Sequence, residues 1–165
     1  MRSNNVRPEV PMNIGIIVYS ETGNTLALCE QARDILTGYG QTVTLAKITC
    51  NDIKLDRTLR DAPAADRYDL VILGTPVQGF SLPVPVQDYL ARATFAQGVK
   101  LGVLVTQYFK ADWLGGTRTV RQAVAALARF EPVFYGAGIV HVRSRKRDEQ
   151  VNAAMRALTN FEGKF

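Results

Sequence analysis

The chain contains few of the residues that form disulfides, metal sites or membrane spans. Its 165 residues include two cysteines and one histidine. Cys29 and Cys50 lack the spacing of a metal or CxxC site, so we expect inert buried thiols and a structural role for His141. No apolar run reaches membrane-spanning length, and the first residues contain no signal-sequence core. We expect residues 1–12 to form a disordered or loose leader, and the protein to be cytoplasmic without membrane contact.

The remaining sequence predicts one α/β domain over residues 13–165. Apolar runs of strand length alternate with helical patterns, which indicates a parallel sheet covered by helices on both faces. The polar stretch 49–67 interrupts the alternation, and we expect one short helix near Leu55–Arg60 there. The predicted strands are residues 14–19, 41–48, 68–74, 99–106 and 133–142, and the predicted helices are residues 24–38, 84–95, 117–130 and 147–161.

The stretch from Ile14 to Thr25, IGIIVYSETGNT, reads as a strand, a polar turn and the start of a helix. This geometry places backbone N–H groups at a helix N-terminus, where they and the helix dipole bind phosphate. Hydroxyls of Ser20, Thr22 and Thr25 add donors. The loop has no lysine or arginine, which excludes a P-loop, and it lacks a GxGxxG turn. We therefore predict an anion site made of neutral donors.

Two further loops follow predicted strands and look unlike simple connectors. Residues 75–83 are rich in proline and glycine, and residues 107–116 concentrate the aromatics Tyr108, Phe109 and Trp113. Ligands of open parallel sheets bind beyond the carboxyl ends of the strands, and exposed aromatics suit stacking on a flat ligand. The three loops together favour a flat, phosphorylated cofactor such as flavin mononucleotide (FMN) over ATP, which would need a lysine and a metal ligand.

With these motifs the chain resembles the flavodoxin family. Ser20-Glu-Thr-Gly-Asn-Thr25 and Tyr68-Asp-Leu-Val-Ile-Leu-Gly-Thr-Pro76 carry the resemblance, which extends over about residues 13–161. The loop 107–116 is similar to that of a flavodoxin-like subgroup without an assigned reaction, whose members often have tryptophan where Gln78 stands. The resemblance implies a doubly wound, five-stranded sheet of order 2-1-3-4-5 with non-covalently bound FMN.

The resemblance also implies which residues bind the cofactor, while it names no catalytic residue and no metal ligand. The first loop would hold the phosphate, and the second and third loops would line opposite sides of the isoalloxazine ring. The predicted set is Ser20, Glu21, Thr22, Gly23, Asn24 and Thr25 in the first loop, Thr75, Pro76, Val77, Gln78, Gly79 and Phe80 in the second, and Gln107, Tyr108, Phe109, Trp113, Gly115 and Gly116 in the third.

The charge of the chain departs from the family. Twenty Lys and Arg residues against fifteen Asp and Glu give a net charge of +5, whereas electron-carrier flavodoxins are strongly acidic. Positive charge near a flavin raises its reduction potential, so we expect less low-potential electron transfer and favour two-electron reduction of a small acceptor such as a quinone. Arg118 and Arg121 are candidates to lie near the ring or to bind an anionic substrate, although solvated helix residues remain the alternative.

Several functions remain open at this point. The protein is either an electron carrier that needs a redox partner protein, with an acidic partner surface as one option, or a reductase of a small-molecule acceptor. A second class is a binding module that keeps the fold and has lost flavin. A third class is an anion- or nucleic-acid-binding protein that uses the basic cluster Arg143–Arg147, but no nucleic-acid recognition motif accompanies that cluster, and we do not favour it.

Overall fold

A computed structural model describes residues 11–52, 56–108 and 115–160, and residues 1–10 of the predicted leader lie outside this part. Met12 packs at the margin of the core, and its N–H donates to the Gln41 side chain at 2.7 Å. In chain order the elements are β1 (Asn13–Val18), α1 (Asn24–Gly38), β2 (Thr42–Lys47), β3 (Thr49–Asp52), β4 (Asp56–Asp61), β5 (Leu70–Pro76), α2 (Val84–Arg92), β6 (Lys100–Gln107), α3 (Gly116–Ala126), β7 (Val133–His141) and α4 (Arg147–Thr159).

Five strands form one parallel sheet in the order β2-β1-β5-β6-β7. Strands β1, β5 and β6 are buried along almost their whole length, which explains their continuous apolar sequences, because a parallel sheet is covered on both faces. The predicted five-stranded parallel sheet is therefore confirmed. Counted within this sheet alone, the strands follow the order 2-1-3-4-5, and the labels differ because β3 and β4 form a separate two-stranded sheet.

The helices cover the sheet in two pairs, each with its own buried cluster. Helices α1 and α4 pack on one face, and α2 and α3 pack on the other. The first cluster takes Leu28, Cys29, Ala32 and Leu36 from α1 and Val151, Ala154, Met155 and Leu158 from α4. The second takes Val86, Tyr89 and Leu90 from α2, Ala123 from α3 and Leu127 directly after it. Both pairs bury the apolar stripe of a helical repeat, as the sequence predicted.

The short helix predicted near Leu55–Arg60 is wrong. Leu55 lies outside the described residues, and Asp56–Asp61 is strand β4, antiparallel to β3. In this hairpin Cys50 lies opposite Leu59, and both side chains pack against the core cluster under α2 and α3. The segment is a strand because β3 supplies its hydrogen-bond partner and the core holds Leu59. Neither stabilising factor is visible in the local pattern.

The two thiols differ in their surroundings. Cys29 is fully buried, and this burial raises the pKa of its thiol to about 12, so the expected inert thiol is found in α1. Cys50 is only partly buried, and the cysteines form no disulfide. None of the helices in the described part of the chain is both long enough and apolar enough to cross a membrane.

Candidate functional site

Three loops meet at the carboxyl edge of the sheet. Strands β1, β5 and β6 are neighbours and run parallel, so the segments that follow them emerge side by side. These segments are residues 19–23, 77–83 and 108–115, of which residues 109–114 are not described. This edge is where ligands of open α/β sheets bind, and it brings together most of the predicted site residues.

The first loop is wrapped around the hydroxyl of Ser20. Its Oγ accepts the N–H of Gly23 at 3.1 Å and that of Leu26 at 3.4 Å, and Gly23 turns the chain into α1 with a φ of 89°. The N–H groups of Thr22, Asn24 and Thr25 donate to no acceptor within the described residues. Free amides at the start of a helix are suited to binding a phosphate.

Asn24 links the first loop to the third. Its Nδ2 donates to Thr22 Oγ1 at 3.1 Å and contacts the Tyr108 hydroxyl at 3.5 Å. Below this contact the hydroxyls of Thr25 and Thr106 are hydrogen bonded at 2.7 Å in the buried interior. The Thr25 side chain thus braces α1 against β6, and its backbone N–H is the group that would be available to an anion.

The second loop contains a tight turn at Gly79 and Phe80. Gln78 and Ser81 exchange backbone hydrogen bonds at 3.0 and 3.1 Å, and the two residues between them have φ values of 57° and 60°. Two consecutive positive φ angles define a type I′ turn. The left-handed conformation costs a residue with a side chain roughly 1–2 kcal/mol, yet here it holds Phe80 with 47% of its surface exposed.

Glu21 connects the first and second loops. The buried Tyr19 hydroxyl donates to Glu21 Oε1 at 2.6 Å, and Gln78 Nε2 donates to the same oxygen at 2.5 Å. Burial raises the pKa of Tyr19 well above its usual range, and the Glu21 hydrogen bond and charge raise it further. Tyr19 therefore remains a proton donor to this carboxylate. Gln78, where the related subgroup often has tryptophan, fixes the spacing of the two loops.

A cavity of about 250 Å³ lies between the second and third loops, lined by Val77, Gly79, Phe80, Gln107 and Tyr108. Tyr108 is 47% exposed, like Phe80, whereas Gln107 is buried. The cavity is flanked by aromatic and aliphatic groups and lies beside the free amides of the first loop. It is therefore suited to a planar ring that carries a phosphate.

Two glycines permit close packing next to the cavity, Gly115 against the second loop and Gly116 against the end of β6. A Cβ at Gly115 would lie 2.5 Å from Val77 Cγ1 and 3.0 Å from the Phe80 backbone. A Cβ at Gly116 would lie 2.7 Å from Gln107 Oε1. Both glycines are buried and pack against residues that line the cavity, Val77, Phe80 and Gln107. The residues present at this edge fit FMN, with amides for the phosphate and aromatic walls for the ring.

Solved structures show which fold this arrangement belongs to. A flavodoxin from Streptococcus pneumonia TIGR4 superposes with a TM-score of 0.63 and 17% identity, covering 88% of this chain and 94% of that chain. An NAD(P)H:quinone oxidoreductase from Methanothermobacter marburgensis gives 0.64 and 15%, covering 93% and 98%. A flavoprotein from Lactobacillus acidophilus NCFM in complex with FMN gives 0.60 and 13%, covering 87% and 99%. The chain has a flavodoxin-like fold.

This likeness rests on structure, because no protein-family model and no curated protein matches the sequence. At these identities the neighbours establish the fold and leave the cofactor and the reaction to be proposed. The flavodoxin-like fold agrees with the resemblance seen in the sequence motifs, and it assigns the loops after β1, β5 and β6 to the same edge.

Other candidate residues are buried in a strand, exposed on a helix or outside the described residues. Phe109 and Trp113 fall outside the described residues. Thr75 is fully buried within β5, where its hydroxyl donates to the Pro76 carbonyl at 2.9 Å, so it lies beneath the cavity. Arg118 and Arg121 are exposed on α3. Within the described residues, no cluster of three or more His, Cys, Asp or Glu side chains could hold a metal ion.

The sequence reasoning missed Arg143 as a neighbour of the site. Its guanidinium carbon lies 5.2 Å from the centroid of the Tyr108 ring, within the range of a cation–π contact. Arg143 follows β7, which pairs with β6 so that His141 lies opposite Gln107. The signal in the sequence is its position directly after a predicted strand, whereas the basic cluster alone points to no contact with the site.

Proposed function

We propose that this protein binds FMN non-covalently at the candidate site and uses it in oxidation–reduction. The proposal rests on the N–H groups of Thr22, Asn24 and Thr25, which have no acceptor in the described part of the chain and lie at the same sheet edge as an aromatic-lined cavity. The fold of FMN-binding and redox neighbours supports it. When bound, FMN would supply a ring that accepts and returns electrons.

The chain's own residues would divide the binding between them. The amides at the start of α1 would hold the phosphate with the help of the helix dipole. Phe80 and Tyr108 would flank the ring and keep water from it. Glu21 Oε1 accepts hydrogen bonds from both Tyr19 and Gln78, and these bonds would keep the first and second loops at a fixed separation.

For the reaction, we favour reduction of a small acceptor such as a quinone over low-potential electron carriage. The support is electrostatic, because the chain carries a net charge of +5 and Arg143 lies beside the cavity. A positive charge stabilises a reduced, anionic ring and so raises its potential. Steady-state assays separate the roles, since a reductase oxidises NAD(P)H with a quinone as the only other reactant, whereas a carrier requires a second protein.

Asn24→Asp tests the phosphate site. A carboxylate in the first turn of α1 favours the helix, so the apoprotein should remain folded, but it should repel the FMN phosphate. We expect the dissociation constant for FMN to rise about tenfold or more, which is roughly 1.4 kcal/mol. Riboflavin, which lacks the phosphate, should bind both proteins equally. Fluorescence quenching of each flavin during titration measures the constants, with circular dichroism as the folding check.

Gln31→Glu is the matched control, because it adds the same charge at an exposed position farther along α1. It should leave the FMN affinity within about twofold of wild type. An equal loss of FMN affinity in both variants would mean that the added negative charge weakens binding through the net charge of the protein, and that Asn24 is not next to a phosphate site. A wild-type protein that is colourless and takes up no added FMN would refute the proposal itself.

A further inference from the structure

The contact between Arg143 and Tyr108 extends the candidate site beyond its three loops. Tyr108 lines the cavity, its hydroxyl meets Asn24 at 3.5 Å, and its ring face carries the Arg143 guanidinium at 5.2 Å. A fourth connection at the same sheet edge, the one after β7, thus contributes a positive charge beside the cavity. The charge of Arg143 thus lies next to the Tyr108 ring. The backbone amides proposed to bind the phosphate lie at the start of α1, which the Asn24 side chain connects to the Tyr108 hydroxyl.

Arg143 retains its capacity to bind an anion. Its side chain is exposed, and among the described residues it forms neither an ion pair nor a hydrogen bond. The neighbouring Arg147 differs, because its guanidinium lies 3.7 Å from the Asp148 carboxylate. The five N–H donors of a guanidinium match carboxylates, sulfonates and phosphates in a bidentate manner. The aromatic contact holds the group beside the cavity and leaves those donors available.

We infer that Arg143 makes the site selective for flat aromatic substrates that carry a negative charge, with anionic quinones as the acceptor class. The inference rests on the proposed function for its redox part. Val77, Phe80 and Tyr108 line the cavity proposed for the FMN ring. Arg143, which lies against Tyr108, would recognise the acidic group of a planar substrate that stacks on that ring. With reduced FMN bound, the quinone would receive two electrons from the cofactor and take up two protons to become a hydroquinone, and the cofactor would be left oxidised.

The kinetic test compares two acceptors that differ in charge. FMN-loaded protein is reduced and mixed in a stopped-flow instrument with neutral 1,4-naphthoquinone or with anionic 1,4-naphthoquinone-2-sulfonate. In Arg143→Gln we expect the rate constant for the sulfonate to fall roughly three- to fivefold relative to that for the neutral quinone, as for an exposed ion pair. A change in flavin potential acts on both acceptors and cancels in this ratio. Arg143→Lys should restore part of the loss. Arg145→Gln, an equal charge change at an exposed residue of the same segment, should have a smaller effect.

A binding measurement tests the same residue without the redox reaction. Apoprotein is titrated with naphthalene-2-sulfonate, which cannot accept electrons, while the side-chain Nε–H resonance of Arg143 is followed by NMR. We expect a saturable shift with the sulfonate and none with neutral 2-naphthol. This titration remains informative if FMN fails to bind, so a failure of the proposed function and a failure of this inference are distinguishable.

Three results would overturn the inference. The first is an equal fall in rate for both quinones in Arg143→Gln. The second is an equal effect of Arg145→Gln, which would assign the preference to the general field of the basic segment. The third is a loss of FMN affinity in Arg143→Gln without a loss of riboflavin affinity, which would make Arg143 a ligand of the cofactor phosphate.

Discussion

At the scale of single residues, Phe80 combines an unfavourable backbone conformation with an exposed aromatic side chain. Its φ of 60° is tolerated more easily by glycine or asparagine, and 47% of its surface is open to solvent. Strained residues of this kind concentrate at functional sites. Phe80 lines the cavity, and the type I′ turn places its ring where a flat ligand would stack. A binding role would therefore account for the strained conformation.

Phe80→Asn separates these two properties. Asparagine accepts the left-handed conformation, so we expect the free energy of unfolding to stay constant or to rise by up to about 1 kcal/mol. FMN affinity should fall several-fold because the aromatic wall is lost. Urea unfolding of the apoprotein and flavin titration measure the two effects.

Phe134→Asn provides the control for binding. Phe134 is similarly exposed, at 53%, but it lies near the start of β7, away from the carboxyl edge. Its replacement should leave FMN affinity unchanged. If Phe80→Asn instead destabilised the fold by more than about 1 kcal/mol and bound FMN normally, the side chain would have a packing role and no stacking role.

At the scale of elements, the attachment of α4 to the sheet depends on a glycine in β7. A Cβ at Gly138 would lie 2.3 Å from the Ala154 Cβ and 2.8 Å from its Cα. Because the close atoms belong partly to the backbone of α4, the neighbour cannot give way by rotating a side chain. The helix packs on β7 at a distance that only glycine permits, and α4 in turn follows the segment that contains Arg143.

Gly138→Ala should therefore destabilise the protein by roughly 1–3 kcal/mol, the usual cost of overpacking a buried contact. Chemical denaturation of wild type and variant gives this difference directly. Gly38→Ala is the control, since nothing lies within 4 Å of a Cβ at that position and alanine is the better helix former. A Gly138→Ala protein as stable as wild type would show that α4 can shift outward at little cost.

The sequence predicted the elements that the parallel sheet buries on both faces, because burial there leaves a continuous apolar run. It failed at Asp56–Asp61, where strand formation depends on pairing with Thr49–Asp52 and on the packing of Leu59. The helix predicted over residues 117–130 is also not continuous. Helix α3 ends at Ala126, and a 3₁₀ turn follows at Ala128–Phe130. Contacts between distant segments decide both cases, and local periodicity does not record them.

In the candidate site, too, features that depend on consecutive residues were predictable from the sequence, and features that depend on distant contacts were not. The conformation of residues 19–25 was predictable because strand, turn and helix are consecutive, and phosphate binding by this loop stays a prediction. The position of Arg143 was not, since its contact with Tyr108 exists only because β6 and β7 pair with Gln107 opposite His141. The burial of Thr75 was not predictable either, because the sequence pattern ended this strand at Gly74, whereas β5 extends to Pro76.

At the scale of the whole molecule, the excess of five positive charges adds to the local effect of Arg143. An exposed charge acts over about one Debye length, roughly 10 Å at 0.1 M salt, so distant residues contribute little to equilibrium binding. They act instead on encounter, because a net positive surface attracts an anionic ligand from solution and increases the rate of association. FMN is such an anion, and riboflavin is its neutral counterpart.

We therefore expect the association rate constant of FMN with the apoprotein to fall several-fold when the salt concentration rises from about 0.02 M to 0.5 M. The constant for riboflavin should remain within about twofold, because it has no charge for the field to act on. Stopped-flow fluorescence quenching measures both ligands under identical conditions. A constant for FMN that rises with salt would indicate a negative field at the site despite the basic composition. The charge-based preference for anionic substrates would then have to rest on Arg143 alone.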